Sequence, residues 1–144
     1  MSYNSQLWKT KEITHEGFPL LLRYREGIDV SSYKAAFPKL AVITHEFSQV
    51  RQNGLPDPDY NDSLFQFDSD IRSAFEERNC GCAILIETFG GKRRYYIYVL
   101  STIDIAETLS SIRRGNPNEQ LTWIVRPDPE WDFIHKYSQQ FLNG

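Results

Sequence analysis

The side chains best suited to binding another molecule form a basic and aromatic run, Lys92-Arg93-Arg94-Tyr95-Tyr96-Ile97-Tyr98. Basic side chains attract phosphates, and a base stacked on an exposed aromatic ring contributes about 1–3 kcal/mol. RNA-recognition domains have glycines between the aromatic residues of the corresponding strand, whereas no glycine follows Gly91 here. Two interpretations of this run remain. Residues 94–100 could bind single-stranded RNA, which is the alternative function, or the tyrosines could pack under a hairpin, a helix or a second subunit.

Cysteines and histidines are the candidate ligands for a soft metal ion. Cys80-Gly81-Cys82 supplies two thiols, but a structural zinc site uses four ligands, and His15, His45 and His135 lack ligand spacing. On a strand the two cysteines would point to the same face, where a disulfide is not easily formed. We expect free thiols, no metal and no cofactor, as is typical of a reducing compartment.

An acidic run, residues 57–62, echoes the alternating oxygen ligands of a calcium loop. Its sixth position is Asp62 where such a loop needs glycine, and its twelfth is Asp68 where a bidentate glutamate is needed. The same acids are typical of a helix N-terminus, because they interact favourably with the helix dipole. The sequence therefore favours a helix start over a calcium site.

Catalytic motifs of the common hydrolases and nucleotide-binding proteins are missing from the sequence. It contains no G-x-S-x-G, no H-E-x-x-H and no phosphate-binding loop. His45 and Glu46 are neighbours on a predicted strand, so they point to opposite faces and cannot form a dyad. The sequence favours a non-enzymatic protein. The alternative is a hydrolase whose catalytic side chains are far apart in the sequence and come together only in the fold. It requires a concave pocket lined by several ionisable residues with shifted pKa values.

Length and charge limit the class of protein further. The chain has 144 residues, 16 Lys and Arg, 19 Asp and Glu, and a net charge of −3. A chain of this length buries roughly 68–70% of its unfolded surface, so residues 1–144 are expected to form one domain. The acidic balance disfavours a protein that binds mainly phosphates. Without an apolar stretch of about 20 residues or a signal-peptide pattern, we expect a cytoplasmic protein that does not contact a membrane.

Hydrophobic periodicity predicts a definite order of elements. Residues 5–25 predict an N-terminal β-hairpin, and residues 31–37 predict a short helix that ends before Pro38. Residues 39–126 predict a β-α-β-β-α-β core, with Gly90-Gly91 in a tight hairpin turn. Its helices are expected to start at Asp57-Pro58 and at a capping box of Ser101 and Asp104. A terminal helix is predicted over residues 129–142.

This order is typical of the α+β class, with a ferredoxin-like split β-α-β-β-α-β core. Two helices would cover one face of a four-stranded antiparallel sheet, and the opposite face would need a cover of its own. The N-terminal hairpin could extend the sheet, while the terminal helix or a second subunit could shield the open face. A homodimer is therefore one of the arrangements that the sequence allows.

Three segments resemble a known family: Asn53-Gly54-Leu55-Pro56, residues 90–98, and Asp128-Pro129-Glu130-Trp131. They are similar to the bacterial family called domain of unknown function 695, over about residues 7–142. The resemblance implies the fold, but no activity, catalytic set or cofactor. More distantly, the pattern is similar to regulator of ribonuclease activity B, a ferredoxin-like family that acts by binding an RNA-degrading enzyme. Such regulators carry a long acidic tail, whereas this chain ends at Gly144.

Together these features favour a non-enzymatic protein-interaction or regulatory module in the cytoplasm, whose protein partner the sequence does not identify. Nucleic acid is disfavoured as a partner by the charge balance. Loops on a rigid scaffold are common recognition sites, so the predicted loop and hairpin are the best candidates for contact. The candidate contact residues are Asn53, Leu55, Asp57, Asp59, Lys92, Arg93, Arg94 and Tyr96.

Overall fold

The computed structural model describes residues 8–26 and 28–142. The described elements are β1 (Trp8–His15), β2 (Phe18–Arg25), α1 (Val30–Tyr33), β3 (Lys39–Glu46), α2 (Pro58–Ser63), α3 (Phe65–Glu76), β4 (Gly81–Phe89), β5 (Lys92–Val99), α4 (Ile105–Thr108), α5 (Ser110–Gly115), β6 (Gln120–Pro127), α6 (Asp132–Tyr137) and a π-helical turn (Ser138–Leu142). Residues 5–7 of the predicted hairpin lie outside the described residues. Among the helices described, none has the length and apolar character needed to cross a membrane.

The six strands form one antiparallel sheet in the order β1-β2-β4-β5-β3-β6. The predicted core strands are therefore adjacent, and the N-terminal hairpin extends the sheet by pairing β2 with β4. A mixed structure of one antiparallel sheet and several helices confirms the predicted α+β class. The ferredoxin-like assignment of the core stays a prediction.

The first face of the sheet is covered by the helices of the core. The apolar residues that recur at helical spacing are buried there, namely Tyr60, Leu64, Phe67, Ile71, Phe75, Ile105, Leu109 and Ile112. They pack on sheet residues such as Ala41, Ile43 and Ile97. Both amphipathic helical regions therefore lie on the same side of the sheet.

The second face is covered by the chain itself. Tyr33 and Phe37, in and after α1, join Trp131 and Tyr137 of the C-terminal region in a second buried cluster. This cluster packs on alternate sheet residues, which include Leu40, Val42, Tyr96 and Tyr98. The apolar face does not need a second subunit for its cover.

A β-bulge in β4 changes the faces to which its side chains point. Ala83 pairs with Ile97 and Leu85 pairs with Tyr96, so Ile84 is an extra residue.

The prediction that Cys80 and Cys82 share a face is wrong, because they belong to different core clusters. Cys80 precedes the strand, in the turn after α3, where strand alternation does not apply.

The helix predicted to start at Asp57-Pro58 does start there but is divided, and the second predicted helix start differs from the structure. The helix after Asp57 is interrupted at Leu64, whose backbone (φ −86°, ψ 0°) divides α2 from α3. The second core helix begins at Ile105, and its cap is Asp104 alone, whose carboxylate accepts the Glu107 N–H at 3.1 Å. Ser101 lies in the preceding turn and is not the cap.

The terminal helix begins at Asp132 and not at residue 129, because Trp131 adopts a left-handed backbone (φ 59°). The Asp128 carboxylate nevertheless caps α6 by accepting the N–H groups of Asp132 and Phe133 at 2.9 and 3.1 Å. It also accepts the Tyr98 hydroxyl at 2.6 Å. The Trp131 indole stacks on the Tyr98 ring with a centroid distance of 4.0 Å. Asp128 therefore fastens the C-terminal helix to the centre of the sheet.

We expect Asp128→Ala to lower the free energy of unfolding by roughly 2–4 kcal/mol, because it removes a helix cap and leaves a buried hydroxyl without its acceptor. Urea unfolding monitored by tryptophan fluorescence measures this loss. Asp132→Ala is the matched control, because Asp132 is exposed, and its effect should stay within about 0.5 kcal/mol. Equal effects of the two substitutions would contradict the role of Asp128.

Candidate functional site

The loop after β3 and the β4–β5 turn form one surface at the end of the sheet. The Gly91 N–H donates to the Gly54 carbonyl at 2.8 Å, and the Phe47 N–H donates to the Gly91 carbonyl at 3.0 Å. Within the loop, the Arg51 N–H donates to the Leu55 carbonyl at 2.8 Å. We call residues 50–55 and 90–92 the tip surface. It includes the candidate contact residues Asn53, Leu55 and Lys92, and it brings together the loop and the hairpin from which the candidates were predicted.

Glycine is required where these two segments meet. Gly54 has a φ of +87°, and a Cβ atom there would lie 3.0 Å from the Cα and N atoms of Gly90. Gly90 and Gly91 have φ values of +63° and +82°, which fit the primed turn predicted for this hairpin. The close approach of the two backbones therefore depends on the missing side chain of Gly54.

The four candidate contact residues of the loop region are near one another in the chain. The Asn53 side chain accepts the Leu55 N–H at 3.1 Å and so stabilises the turn. Asn53, Leu55 and Asp57 are half-buried, and Asp59 is exposed in the first turn of α2. Asp57 precedes α2 as predicted, but its side chain makes no capping hydrogen bond.

The candidate residues of the hairpin divide into accessible and buried side chains. Lys92 and Arg94 are half-buried, while Arg93 and Tyr96 are each only 8% exposed. The Tyr96 hydroxyl donates to Glu87 at 3.0 Å, and its ring stacks on Phe133. Arg94 lies 3.8 Å from the same glutamate. Tyr96 therefore packs beneath the C-terminal helix.

Tyr95 and Tyr98 have no exposed surface, so the tyrosines of β5 are all buried. Base stacking needs an exposed aromatic face. The platform that motivated the RNA alternative is therefore occupied by the protein's own core.

Beside the tip surface, the carboxylate of Asp68 on α3 joins the helix to two strands. Arg23 of β2 donates to both oxygens of Asp68, at 2.7 and 3.1 Å. The hydroxyl of Tyr95, on β5, donates to the same carboxylate at 2.7 Å. A bidentate guanidinium contact of this kind fixes orientation as well as charge.

Two further guanidinium groups approach the same carboxylate. Arg93 Nη1 lies 3.8 Å and Arg72 Nε lies 3.6 Å from oxygens of Asp68. Arg93 is held by hydrogen bonds to the side chains of Thr88 and Asn61, at 2.9 and 3.0 Å. Three cations therefore surround one buried carboxylate.

The protonation states of this network follow from its geometry. Burial alone would raise the pKa of Asp68, but the hydrogen bonds from Arg23 and Tyr95 and the charges of Arg23 and Arg93 outweigh it and lower the pKa. Burial, together with the adjacent Asp68 charge, raises the pKa of Tyr95. The pKa of Arg23 is raised as well, because its contacts with Asp68 outweigh the cost of burial. Asp68 is therefore anionic at neutral pH, while Arg23 is cationic.

A cavity of about 500 Å³ opens beside this network. Arg23, Arg93 and Asp68 form its charged wall, and Leu64 and Phe65 form its apolar wall. The Phe65 side chain is conspicuous because the residue is 77% exposed. Asn61 and Asp62 complete the lining.

A second polar network connects β3, α2 and the loop before β6. The imidazole Nε2 of His45 lies 2.7 Å from Glu119, and the Tyr60 hydroxyl donates to the same glutamate oxygen. Burial lowers the pKa of His45, although the contact with Glu119 opposes the shift. A neutral His45 therefore donates from Nε2, and its buried Nδ1 has no hydrogen-bond partner among the described residues.

The possible metal ligands among the described residues do not cluster. Residues 8–26 and 28–142 contain no group of three His, Cys, Asp or Glu side chains that could hold a metal ion. Cys80 and Cys82 are free and buried, and burial raises the pKa of Cys82 to about 12. Asp68, the last position of the calcium-like spacing, is bound by Arg23.

Sequence reasoning missed Arg23 and Asp68, which are 45 residues apart. Each carries a local signal. Arg23 interrupts an apolar strand, and Asp68 adjoins Phe67 on the face of α3 that packs on the sheet. Charged residues at buried positions require partners. A charged residue within an apolar pattern therefore identifies Arg23 and Asp68 as residues that need a buried partner, but it does not show that they pair with each other.

The fold and the site define an α+β protein with a six-stranded antiparallel sheet and an arginine-lined cavity near one end of it. The chain matches the model of the family of unknown function DUF695 over residues 6–139. It therefore belongs to the DUF695 family, which confirms the resemblance seen in the sequence. No curated protein matches the chain. The more distant similarity to regulator of ribonuclease activity B stays a prediction.

We expect Gly54→Ala to destabilise the protein more than Gly17→Ala does. Both glycines have a positive φ, but an added Cβ meets the Gly90 backbone only at Gly54 and meets nothing within 4 Å at Gly17. Each substitution should cost about 1 kcal/mol of backbone strain, and Gly54→Ala should also lose amide protection at Gly91. Thermal unfolding and hydrogen exchange measure the two effects. Equal losses would show that the backbone contact contributes nothing.

We expect acidification from about pH 7.5 to about pH 5 to lower the free energy of unfolding through His45. The folded pKa of His45 is below its ordinary value of 6.5, so the unfolded chain binds a proton that the folded chain does not. Its stabilising contribution is complete above the unfolded pKa and is lost as the pH falls towards the folded one. Urea unfolding across this range should show a shallower pH dependence in His45→Gln. An unchanged slope would contradict the assignment.

Proposed function

We propose that this DUF695 protein is a cytoplasmic, non-enzymatic interaction module that binds a protein partner through the tip surface. The observation that carries the proposal is the backbone contact between Gly54 and Gly91, which joins two separate candidate segments. Val50, at 42% exposure, adds an accessible apolar side chain to this surface. A fixed backbone lowers the entropy lost on binding, which favours recognition by such a surface. Two free thiols support a reducing compartment.

The ionisable groups suit binding better than proton transfer. A general acid or base works best with a pKa near the working pH, whereas the pKa of Asp68 is lowered and both its oxygens are bound by Arg23. His45 has a fully buried side chain, so a substrate cannot reach it from solvent. The hydrolase alternative predicts a pocket with shifted ionisable groups. The Asp68 cavity meets that description, but its carboxylate serves as a partner for arginines.

Partner capture with a matched pair of variants tests the proposal. Val50 and Val30 have similar exposure, 42% and 38%, but only Val50 lies in the tip surface. A tagged protein of residues 1–144 should retain one stoichiometric protein from native lysate, and Val50→Asp should abolish that retention, because a buried unpaired charge is costly in an interface. Val30→Asp should retain the partner. Capture that both variants retain, or that both lose while remaining folded, would overturn the proposal.

Light scattering on the purified protein tests whether the partner is a second copy of this chain. A dimer that Val50→Asp dissociates and Val30→Asp preserves would identify the tip surface as a homodimer contact. A dimer that survives Val50→Asp would place self-association elsewhere. RNA binding by stacking on the β5 tyrosines is disfavoured, because these side chains are buried.

A further inference from the structure

The carboxylate of the Asp68 cavity is surrounded by more partly buried positive charge than it neutralises. Nitrogen atoms of Arg23, Arg72 and Arg93 lie 2.7, 3.6 and 3.8 Å from Asp68 oxygens, and of these arginines Arg23 and Arg93 line the cavity. The side chains of these arginines are only 35%, 26% and 10% exposed. Asp62 also lines the cavity, but it is exposed, so water screens its charge. Buried cations that outnumber their carboxylates favour a further anion.

The arginines also keep hydrogen-bond donors that Asp68 does not use. The Nη1 group of Arg93 is beyond hydrogen-bond distance of Asp68, while Nε and Nη2 are held by Thr88 and Asn61. This arrangement fixes the guanidinium plane and leaves Nη1 as an oriented donor. Arg23 and Arg93 both line this cavity and a neighbouring one of about 350 Å³. Oriented guanidinium groups bind carboxylate and phosphate oxygens strongly.

We propose that the Asp68 cavity binds a small organic anion, whose carboxylate or phosphate group is held by Arg23 and Arg93. The apolar part of this ligand lies against Leu64 and Phe65, which line the same cavity. A volume of about 500 Å³ falls within the range of small-molecule sites, about 300–1,000 Å³. The proposal stands on the cavity and does not depend on the tip surface or on a protein partner.

NMR titration of the full chain with inorganic phosphate and with phenyl phosphate, at constant ionic strength, tests the site. We expect saturable shifts of the Arg23 and Arg93 side-chain signals in the wild-type protein, with phenyl phosphate binding more tightly. Arg23→Gln should weaken both ligands by about tenfold or more, because charged hydrogen bonds contribute about 1.5–3 kcal/mol. Arg23→Lys should be intermediate, since lysine keeps the charge and loses the planar fork.

Two further variants separate the parts of the site. Phe65→Ala should weaken phenyl phosphate and leave inorganic phosphate unchanged, because the exposed ring contacts only the apolar part. Arg114→Gln, an exposed arginine on α5, should leave both affinities unchanged. Because Arg23→Gln removes a partner of Asp68, its folding is checked by circular dichroism. If it does not fold, the wild-type arginine shifts and the Phe65→Ala comparison decide the question.

Non-saturable shifts, or equal weakening by Arg23→Gln and Arg114→Gln, would overturn the anion site. Binding of both carboxylate and phosphate probes is compatible with the site, and benzoate compared with phenyl phosphate identifies the preferred group. Equal affinity of the wild-type protein for phosphate and phenyl phosphate would overturn the role of Phe65. Val50→Asp should leave phosphate binding intact, so failure of the tip surface and failure of the cavity give different results.

Discussion

Buried carboxylates constrain this fold, because each must receive enough hydrogen bonds and positive charge to remain in the core. Asp68 joins α3 to β2 and β5 through Arg23 and Tyr95. Glu76, eight residues further along the same helix, accepts hydrogen bonds from Arg25 at 3.0 Å and from the Ala83 N–H at 3.2 Å. Both halves of α3 are thereby fixed on the sheet. Apolar contacts alone would allow the helix to slide, whereas directional contacts with two carboxylates set its position.

The position of α3 decides where the cavity lies. Leu64 is the break between α2 and α3, and its side chain is buried in the core while Phe65 points into solvent. A continuous helix would carry α2 in another direction. The break therefore places Leu64 and Phe65 in the lining of the cavity that Arg23 and Arg93 also line. Removing one partner of a buried pair costs about 3–5 kcal/mol, so the residues that shape the cavity also stabilise the fold.

Elements with strong periodicity could be predicted from the sequence, and features that depend on distant partners could not. The apolar stripes of the core helices and the Gly90-Gly91 turn follow from local spacing and backbone chemistry. The late start of α6 depends on the left-handed Trp131, whose indole is held by Tyr98 and by the Phe37 carbonyl. The bulge at Ile84 depends on pairing with β5. Likewise, the sequence predicts the loop and the hairpin, whereas the cavity beside them depends on the pairing of Arg23 with Asp68.

Arg93 connects the two surfaces at this end of the sheet. It lies two residues after Gly91 of the tip surface, and its side chain lines the cavity while it holds Asn61 of α2 at 3.0 Å. The loop of the tip surface leads directly into α2. A change at Arg93 therefore alters the cavity and the support of the loop together, and its effects cannot be divided between them. Arg23 and Val50 each belong to one surface alone, so substitutions there separate anion binding from partner binding, whereas a substitution of Arg93 would combine both effects.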